Sequence, residues 1–493
     1  MTELPYEIVI GLEVHVQLAT RTKLFCRCST AFGSPPNTQT CPVCIGLPGA
    51  LPVMNRRAFQ LALKAAVALN CRIPEFTKWD RKQYYYPDLP KGYQISQFDQ
   101  PMSEHGWLEI SDPKDRFPTK RVGIVRAHLE EDAGKSMHDE LAGRADSRID
   151  LNRTGTPLLE IVSAPDMRSA LEARAYLTEL KLLLTYIGVS DCNMQEGSLR
   201  VDANINLHLP DTRQPAKKVA TPIVEVKNMN SFRAVERAME FEAQRQYEVW
   251  LETRQQLGQV PKQTRGWDEQ AQVTKGQRSK EESSDYRYFP DPDLAPVMTT
   301  ATEVEEVRAG LGELPAQLRQ RLHGDYGLPA YDAEVIVSQG RAVVDYFETV
   351  AKVSGDFKRA SNWVQQFVFA TLNDQQCTIE QFTLPAHSLG MMVRAIAEGK
   401  LDGNRAKDVY QRLLETGESL DAALKSLGIE AVDDHELREI CRQLLAQNPD
   451  VVADVKAGKE KAIGALIGQA KRKNPNAHPN QVREICLALI ASM

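Results

Sequence analysis

Two stretches of strict alternation, far apart in the chain, constrain the architecture more than any other feature. In Ile8 to Leu18, the side chains of Leu12, Val14, Val16 and Leu18 fall on one face and those of Glu13, His15 and Gln17 on the other. Val201 to Leu209 repeats the device, setting Val201, Ala203, Ile205 and Leu207 against Asp202, Asn204, Asn206 and His208. A period of two sends successive side chains to opposite faces of a strand, so each segment reads as half-buried sheet. Ile223 to Lys227 is a third, shorter strand presenting Glu225 and Lys227 on the same side. Helices interrupt these strands. Phe59, Ala62, Leu63, Ala66 and Leu69 follow helical spacing, and Ser169-Ala-Leu-Glu172 reads as a capping box opening a helix that Gly188 closes. A longer helix is predicted from about Phe232 to Leu257, stopped at Gly258. Strands and helices in mixed order, without regular βαβ spacing, predict an α+β fold rather than a doubly wound sheet.

At 493 residues the chain exceeds one ordinary core, and three domains are expected: 1–295, 296–412 and 413–493. The stretch from Gly266 to Ser284 reads as a polar loop, and the prolines between Asp285 and Pro296 close the first domain. Nearly everything beyond is predicted helical, with Ser388-Leu-Gly390 and Gly403 as helix breaks. From Gly417 onward short amphipathic helices follow, punctuated by Gly428, Asn448-Pro449, Gly458 and Asn474-Pro475.

A hydrophobic content of 42% with 26% charged residues is that of a globular protein. There is no apolar run of about 18 residues to cross a membrane. The opening Met-Thr-Glu-Leu-Pro-Tyr-Glu lacks the basic and apolar regions of a signal peptide, so a cytoplasmic location without membrane attachment is expected. A net charge of -6 argues against a nucleic-acid coat protein, yet residues 441–493 carry eight Lys/Arg against four Asp/Glu. That basic end points to a polyanion, although a solvated helical face has the same composition.

Four of the nine cysteines cluster as Cys26-x-Cys28 and Cys41-Pro-Val-Cys44. Two such knuckles bring four thiolates to one tetrahedral zinc, and four protein ligands leave no open position, so the site reads as structural. The polar strand faces carry a different chemistry. Glu13 beside His15, the acidic run His128-Leu-Glu130-Glu131-Asp132, and Glu225 among apolar neighbours supply hard oxygen ligands and an imidazole. Such a set suits Mg²⁺ held with nucleotide phosphates, though each pair alone is also what a solvated sheet face looks like. A basic and aromatic stretch from Arg81 to Gln97 includes Lys82, Tyr84, Tyr85, Tyr86 and Lys91. Its cations could hold phosphates and its rings could stack a base, but plain packing produces the same pattern. With no Walker A loop and no G-x-G-x-x-G after a strand, ATP chemistry here requires a carboxylate-lined cleft.

Taken in order, several strings resemble one family, the B subunit of the tRNA-dependent amidotransferase. They are Gly11-Leu-Glu-Val-His-Val-Gln-Leu18, the Arg81 to Gln97 stretch, His128-Leu-Glu-Glu-Asp-Ala-Gly-Lys135 and Asn152-Arg-x-Gly155-x-Pro-Leu-Leu-Glu160. Gln195-Glu-Gly-Ser-Leu-Arg200-Val-Asp202-Ala-Asn204, Glu225-Val-Lys227-Asn-x-Asn-Ser-Phe232, Asp285-Tyr-Arg-Tyr-Phe-Pro290 and the Gly458 to Gly464 tail complete the set. The resemblance implies a heterotrimer in which an amidase (A) subunit releases ammonia from glutamine and a small (C) subunit clamps the pair. It further implies that this chain uses ATP and Mg²⁺ to phosphorylate the side-chain carboxylate of Glu-tRNA(Gln) or Asp-tRNA(Asn) before ammonia forms the amide. By that likeness Glu13, His15, Glu131 and Glu225 hold magnesium. Glu130, Lys82, Arg200 and Lys227 contact nucleotide or substrate, and residues 1–295 form a mixed-sheet cradle like that of glutamine synthetase. Lys459, Lys461, Lys471, Arg472 and Lys473 then belong to a tRNA-binding tail, with Gly464-x-x-x-Gly468 allowing close helix packing. The rivals are a non-catalytic RNA-binding protein with a zinc knuckle, and the related archaeal subunit, whose extra inserted domain has no room here.

Overall fold

A computed structural model describes residues 5–138, 147–210, 218–277, 286–403, 405–429, 434–474, 476–477 and 479–492. Residues 1–4 of the chain start, 278–284 of the expected polar loop, Asp285 and Pro475 lie outside the described residues. Two compact units result, Met1–Pro315 and Ala316–Met493.

In the first unit the strands are β1 (Glu7–Gln17), β2 (Phe76–Thr77), β3 (Asp80–Gln83), β4 (Tyr93–Ser96), β5 (Glu104–Ile110), β6 (Lys120–Glu131), β7 (Lys135–His138) and β8 (Ser147–Asp150). They continue with β9 (Pro157–Ser163), β10 (Leu199–Pro210), β11 (Lys218–Ala220), β12 (Val224–Lys227), β13 (Gln263–Asp268), β14 (Val273–Gly276), β15 (Phe289–Pro290) and β16 (Val297–Met298). Among the described residues nine strands make one sheet, in the order β14-β13-β12-β10-β1-β9-β6-β5 with β11 beside β10. Neighbours are antiparallel except β12 and β13, so the sheet is mixed, in line with the expected mixed-sheet α+β fold.

Why the sheet closes on one side follows from its alternation. Ile10, Leu12, Val14, Val16, Val201, Ala203 and Ile205 are all buried on one face. Helices α1 (Arg56–Ala68), α2 (Ala170–Tyr186) and α3 (Phe232–Thr253) contribute the other half of that core. Burial of each large aliphatic side chain contributes about 1.5–3 kcal/mol. Ser169 caps α2 by accepting from the Glu172 amide at 3.1 Å, but only half of the expected box forms. The Glu172 carboxylate instead accepts from the Arg168 amide and from Lys120. Gly188, at φ +66, turns the chain out of α2 as expected. Helix α3 stops at Thr253, earlier than predicted, because Arg254 takes a left-handed conformation and the Leu257 amide is recruited by the Ala220 carbonyl. Gly266 to Ser284 is also not all loop. Its described part contributes to the β13–β14 hairpin, which seats Trp267 against Phe241. Beyond the prolines, β16 pairs with β2 and α4 (Ala301–Ala309) packs on α1, which carries the first unit on to Pro315.

The second unit is helical: α5 (Pro315–Gly324), α6 (Ala330–Val337), α7 (Arg341–Ser354), α8 (Phe357–Trp363), α9 (Phe369–Gln375), α10 (Ala386–Ala397), α11 (Arg405–Thr416), α12 (Leu420–Ser426), α13 (Asp434–Gln447), α14 (Pro449–Lys456), α15 (Ile463–Lys473) and α16 (Pro479–Ala491). Ser388-Leu-Gly390 does not break a helix; it lies inside α10. A Cβ on Gly390 would come within 2.6 Å of Val353 Cβ, so the glycine lets α10 approach α7. The opposite correction applies to Gly464 and Gly468, which among the described residues have open space where a Cβ would stand and mediate no close packing. The tail has its own core, in which Leu437, Cys441, Leu444, Ile463, Leu466, Val482 and Cys486 are buried together.

Candidate active site

Register decides which polar side chains meet. On the sheet face opposite the helices, His15 of β1 pairs across to Glu160 of β9 and to Arg200 of β10. Glu160 pairs onward to His128 of β6, while Glu13 faces Asp202 and Asn204 faces Glu225. One pleated face of five strands therefore carries a polar floor, interrupted on β9 by Leu158 and Val162.

At its centre His15 Nε2 lies 3.6 Å from Glu13, 3.6 Å from Glu130 and 3.5 Å from Glu160. Two overlapping sets, Glu13/His15/Asp202 and His15/Glu130/Glu160, each offer ligand atoms within 4.8 Å of one another. Among the described residues, Glu130 Oε2 is buried with no hydrogen-bond partner. A buried carboxylate oxygen left unpaired is costly, and a divalent cation shared by these groups would satisfy it, so the donor set fits a hard ion. The electrostatics are those of crowded acids. Burial, then the charge of Glu160, pushes Glu130 up to about 7. Burial raises Glu13 as well. Burial opposes the rise of His15, but hydrogen bonding to Glu160 and the charges of Glu130, Glu160 and Glu13 carry it up to about 9. Burial resists ionisation of Glu160 too, yet His128, His15 and Lys82 together hold its carboxyl below the usual range. His128, fully enclosed, is pushed down to about 4 chiefly by that burial.

The remaining expected residues are placed unequally. Lys82 lies beside the cluster with its ammonium 5.0 Å from the Tyr286 ring centre. Its pKa is raised, against burial, by Glu130, Tyr288 and Glu160. Arg200 reaches Asp132 at 2.8 Å, and Gln17 donates to the same carboxylate at 2.9 Å. Lys227 is ion-paired to Asp202, so it borders the Glu13 set. Glu225 stands one strand farther out, held by Lys262 at 3.3 Å, Lys227 at 3.5 Å and the Thr264 hydroxyl. Glu131, expected with His15, is not brought there. It follows Glu130 on a strand and so points to the opposite side, where its carboxylate accepts from Lys91 and from the Ile95 amide at 3.0 Å.

The four knuckle cysteines converge, with all ligand sulfurs within 4.8 Å of one another. Tetrahedral zinc with Zn–S of about 2.3 Å sets sulfurs about 3.8 Å apart, and the Cys41 and Cys44 Sγ atoms are 3.9 Å apart. That spacing fits a metal and is far too long for a disulfide.

In the tail, Lys459 and Lys461 precede α15, while Lys471, Arg472 and Lys473 form its last turn, next to the negative end of the helix dipole. Lys459 pairs with Asp454 at 3.1 Å, Lys471 with Asp402 at 3.0 Å, and Lys473 donates to Gln443.

Comparison with known proteins adds to this geometry. The family model of the GatB/GatE catalytic domain matches residues 8–305, and that of the GatB domain matches residues 345–490. A protein of Rhodopirellula baltica, named as the B subunit of an aspartyl/glutamyl-tRNA(Asn/Gln) amidotransferase, is 61% identical over 99% of this chain and 98% of its own length. The chain belongs to the amidotransferase B-subunit family. Members with the same name from Carboxydothermus hydrogenoformans and Synechococcus elongatus are 45% and 46% identical, covering 99% and 95% of the chain and 99% and 94% of their own lengths. A match to a catalytic domain counts against the reading of this B-subunit family member as a purely RNA-binding protein.

Sequence reasoning did not single out Glu160, Asp202 or His128 as site residues of this family member. Glu160 stands alone in the apolar run Leu158 to Val162, the same signal that drew attention to Glu225. Asp202 lies on the polar face already recognised for β10.

Proposed function

We propose that the polar floor activates the side-chain carboxylate of a misacylated Glu-tRNA(Gln) or Asp-tRNA(Asn) and that the activated acyl group then becomes the amide. What carries this reading is the convergence of Glu13, His15, Glu130, Glu160 and Asp202 on one sheet face, in a chain whose relatives are named for that amidation. A carboxylate is a poor acyl donor because its oxyanion leaves badly. Transfer of the γ-phosphoryl group of ATP to that oxygen turns the leaving group into phosphate, and ammonia then attacks the acyl carbon. Magnesium held by the two acidic sets would offset the charge on the moving phosphoryl group.

The chain's own side chains do the rest. Lys82, walled by Tyr84 and Tyr286, orients an anionic group next to the cluster. Arg200 and Lys227, fixed by Asp132 and Asp202, present cations to phosphate oxygens at its edge. Glu225 is a further ligand candidate beyond Asp202, whereas Glu131 is assigned a positioning role because Lys91 and Ile95 engage it. The cradle parallels glutamine synthetase in its chemistry of carboxylate phosphorylation. Structural zinc staples the knuckle. An amidase (A) subunit and a small (C) subunit complete a cytoplasmic heterotrimer, and the basic tail takes tRNA.

The test is Glu160→Gln in the reconstituted heterotrimer, assayed for ATP consumption and amide formation on each misacylated tRNA. A loss of about 100-fold or more in both is expected, as for removal of a key electrostatic group, with glutamine hydrolysis retained. Wild-type phosphorylation by this variant would overturn the assignment.

A further inference from the structure

Lys23 is completely buried, and among the described residues its ammonium has two partners, Cys44 Sγ at 3.7 Å and the Leu151 carbonyl at 3.3 Å. Among the described residues no carboxylate forms an ion pair with it. A buried ammonium without a counter-anion is strongly disfavoured, so something else must balance its charge. Zinc with four thiolates carries two net negative charges, and burying that cluster is costly in turn. Each solves the other's problem.

We infer that Lys23 is the buried counter-cation of the knuckle, a positioning residue that neutralises part of the thiolate charge and ties the metal cluster to the catalytic sheet. The tie is traceable through the backbone. The Lys23 amide donates to the Cys28 carbonyl at 3.0 Å, and the next amide, Leu24, donates to the Gly155 carbonyl at 2.8 Å. Gly155 in turn donates to the Asp132 carbonyl at 2.8 Å, immediately after Glu130 and Glu131. Gly155 is held at φ +81, and a Cβ there would meet Cys44 at 3.6 Å, Glu131 at 3.6 Å and Lys23 at 3.7 Å, so knuckle, lysine and β6 abut at one turn. On the other flank, Gly46 of the knuckle packs directly on Lys91, the partner of Glu131.

This inference rests on the zinc reading above, and the experiment separates the two. Zinc content is measured first on the wild-type heterotrimer; absence of zinc would reject the metal site itself. With zinc present, chelator competition is run on Lys23→Met, Lys23→Gln and Lys23→Arg. Loss of an outer-shell partner weakens metal binding by about 10–100-fold. That loss is expected for Lys23→Met and Lys23→Gln, with most affinity restored in Lys23→Arg. Cobalt substitution gives a readout that mere destabilisation does not move. Without the cation the sulfur electrons rise in energy, so the thiolate-to-cobalt band of Lys23→Gln shifts to the red. Lys23→Gln keeps a donor for Leu151, so it also serves where Lys23→Met does not fold. Unchanged zinc affinity and an unshifted band in Lys23→Gln would overturn the role of Lys23 and leave the zinc site standing.

Discussion

Glu130 and Glu131 are neighbours in the chain and nearly equal in burial, yet their replacement by glutamine is predicted to have opposite consequences. Glu131→Gln removes the charge facing Lys91 in an ion pair whose side chains are 3% and 6% exposed. Two unit charges about 4 Å apart attract by about 4 kcal/mol at an effective dielectric of about 20, and breaking one side of a buried pair costs about 3–5 kcal/mol. Glutamine still offers an oxygen to the Ile95 amide, so that hydrogen bond survives and the loss is electrostatic. Glu130→Gln instead removes a charge from a carboxylate that burial and Glu160 already push towards neutrality. Its stability cost is predicted to be small, while divalent-ion dependence is lost. Urea denaturation followed by tryptophan fluorescence reads the first effect, since Trp79 is buried in the same unit. Magnesium titration of ATP consumption in the heterotrimer reads the second. A Glu131→Gln protein with wild-type stability and abolished magnesium response would refute the reasoning, because it would place Glu131 at the ion.

Gly390→Val forces a side chain into Val353 and is predicted to destabilise the helical unit by about 1–3 kcal/mol, as overpacking does, with thermal denaturation as the check. Arg116 holds Asp112 down to about 2, below the roughly 3.9 of an unfolded aspartate, so the pair contributes stability above about pH 4 that is lost as pH falls towards 2. Asp112→Asn should therefore lower the urea midpoint at pH 7 and converge with wild type in acid. Paired Lys459→Glu and Lys461→Glu substitutions should weaken tRNA binding and reduce the slope of log affinity against log salt by roughly one for each phosphate no longer engaged; an unchanged slope would remove these residues from the tRNA surface.

The central strands were legible because β1 and β10 each have one apolar and one polar face. Strand β9 was not, since side chains on both of its faces are buried and its alternation disappears: Leu158, Leu159, Glu160 and Ile161 are all buried. Glu131 was misplaced for a reason the sequence could have corrected. Ala127 and Leu129 set the phase of β6, and period two puts Glu131 on their side and Glu130 with His128. Glycine was ambiguous by nature. The same residue type that ends α2 at Gly188 permits a helix crossing at Gly390 and does neither at Gly464.

A floor assembled from single pleats of five strands has a consequence for how this protein can vary. Because side chains alternate along β1, β9 and β10, inserting or deleting one residue within any of these would invert every position beyond it, exchanging the polar floor for core aliphatics, whereas β6 already absorbs one extra residue at the irregularity between Ile124 and Arg126. In those three strands length changes are therefore tolerable only in compensated pairs or in the loops that connect them. There, natural and engineered variants alike must proceed by substitution.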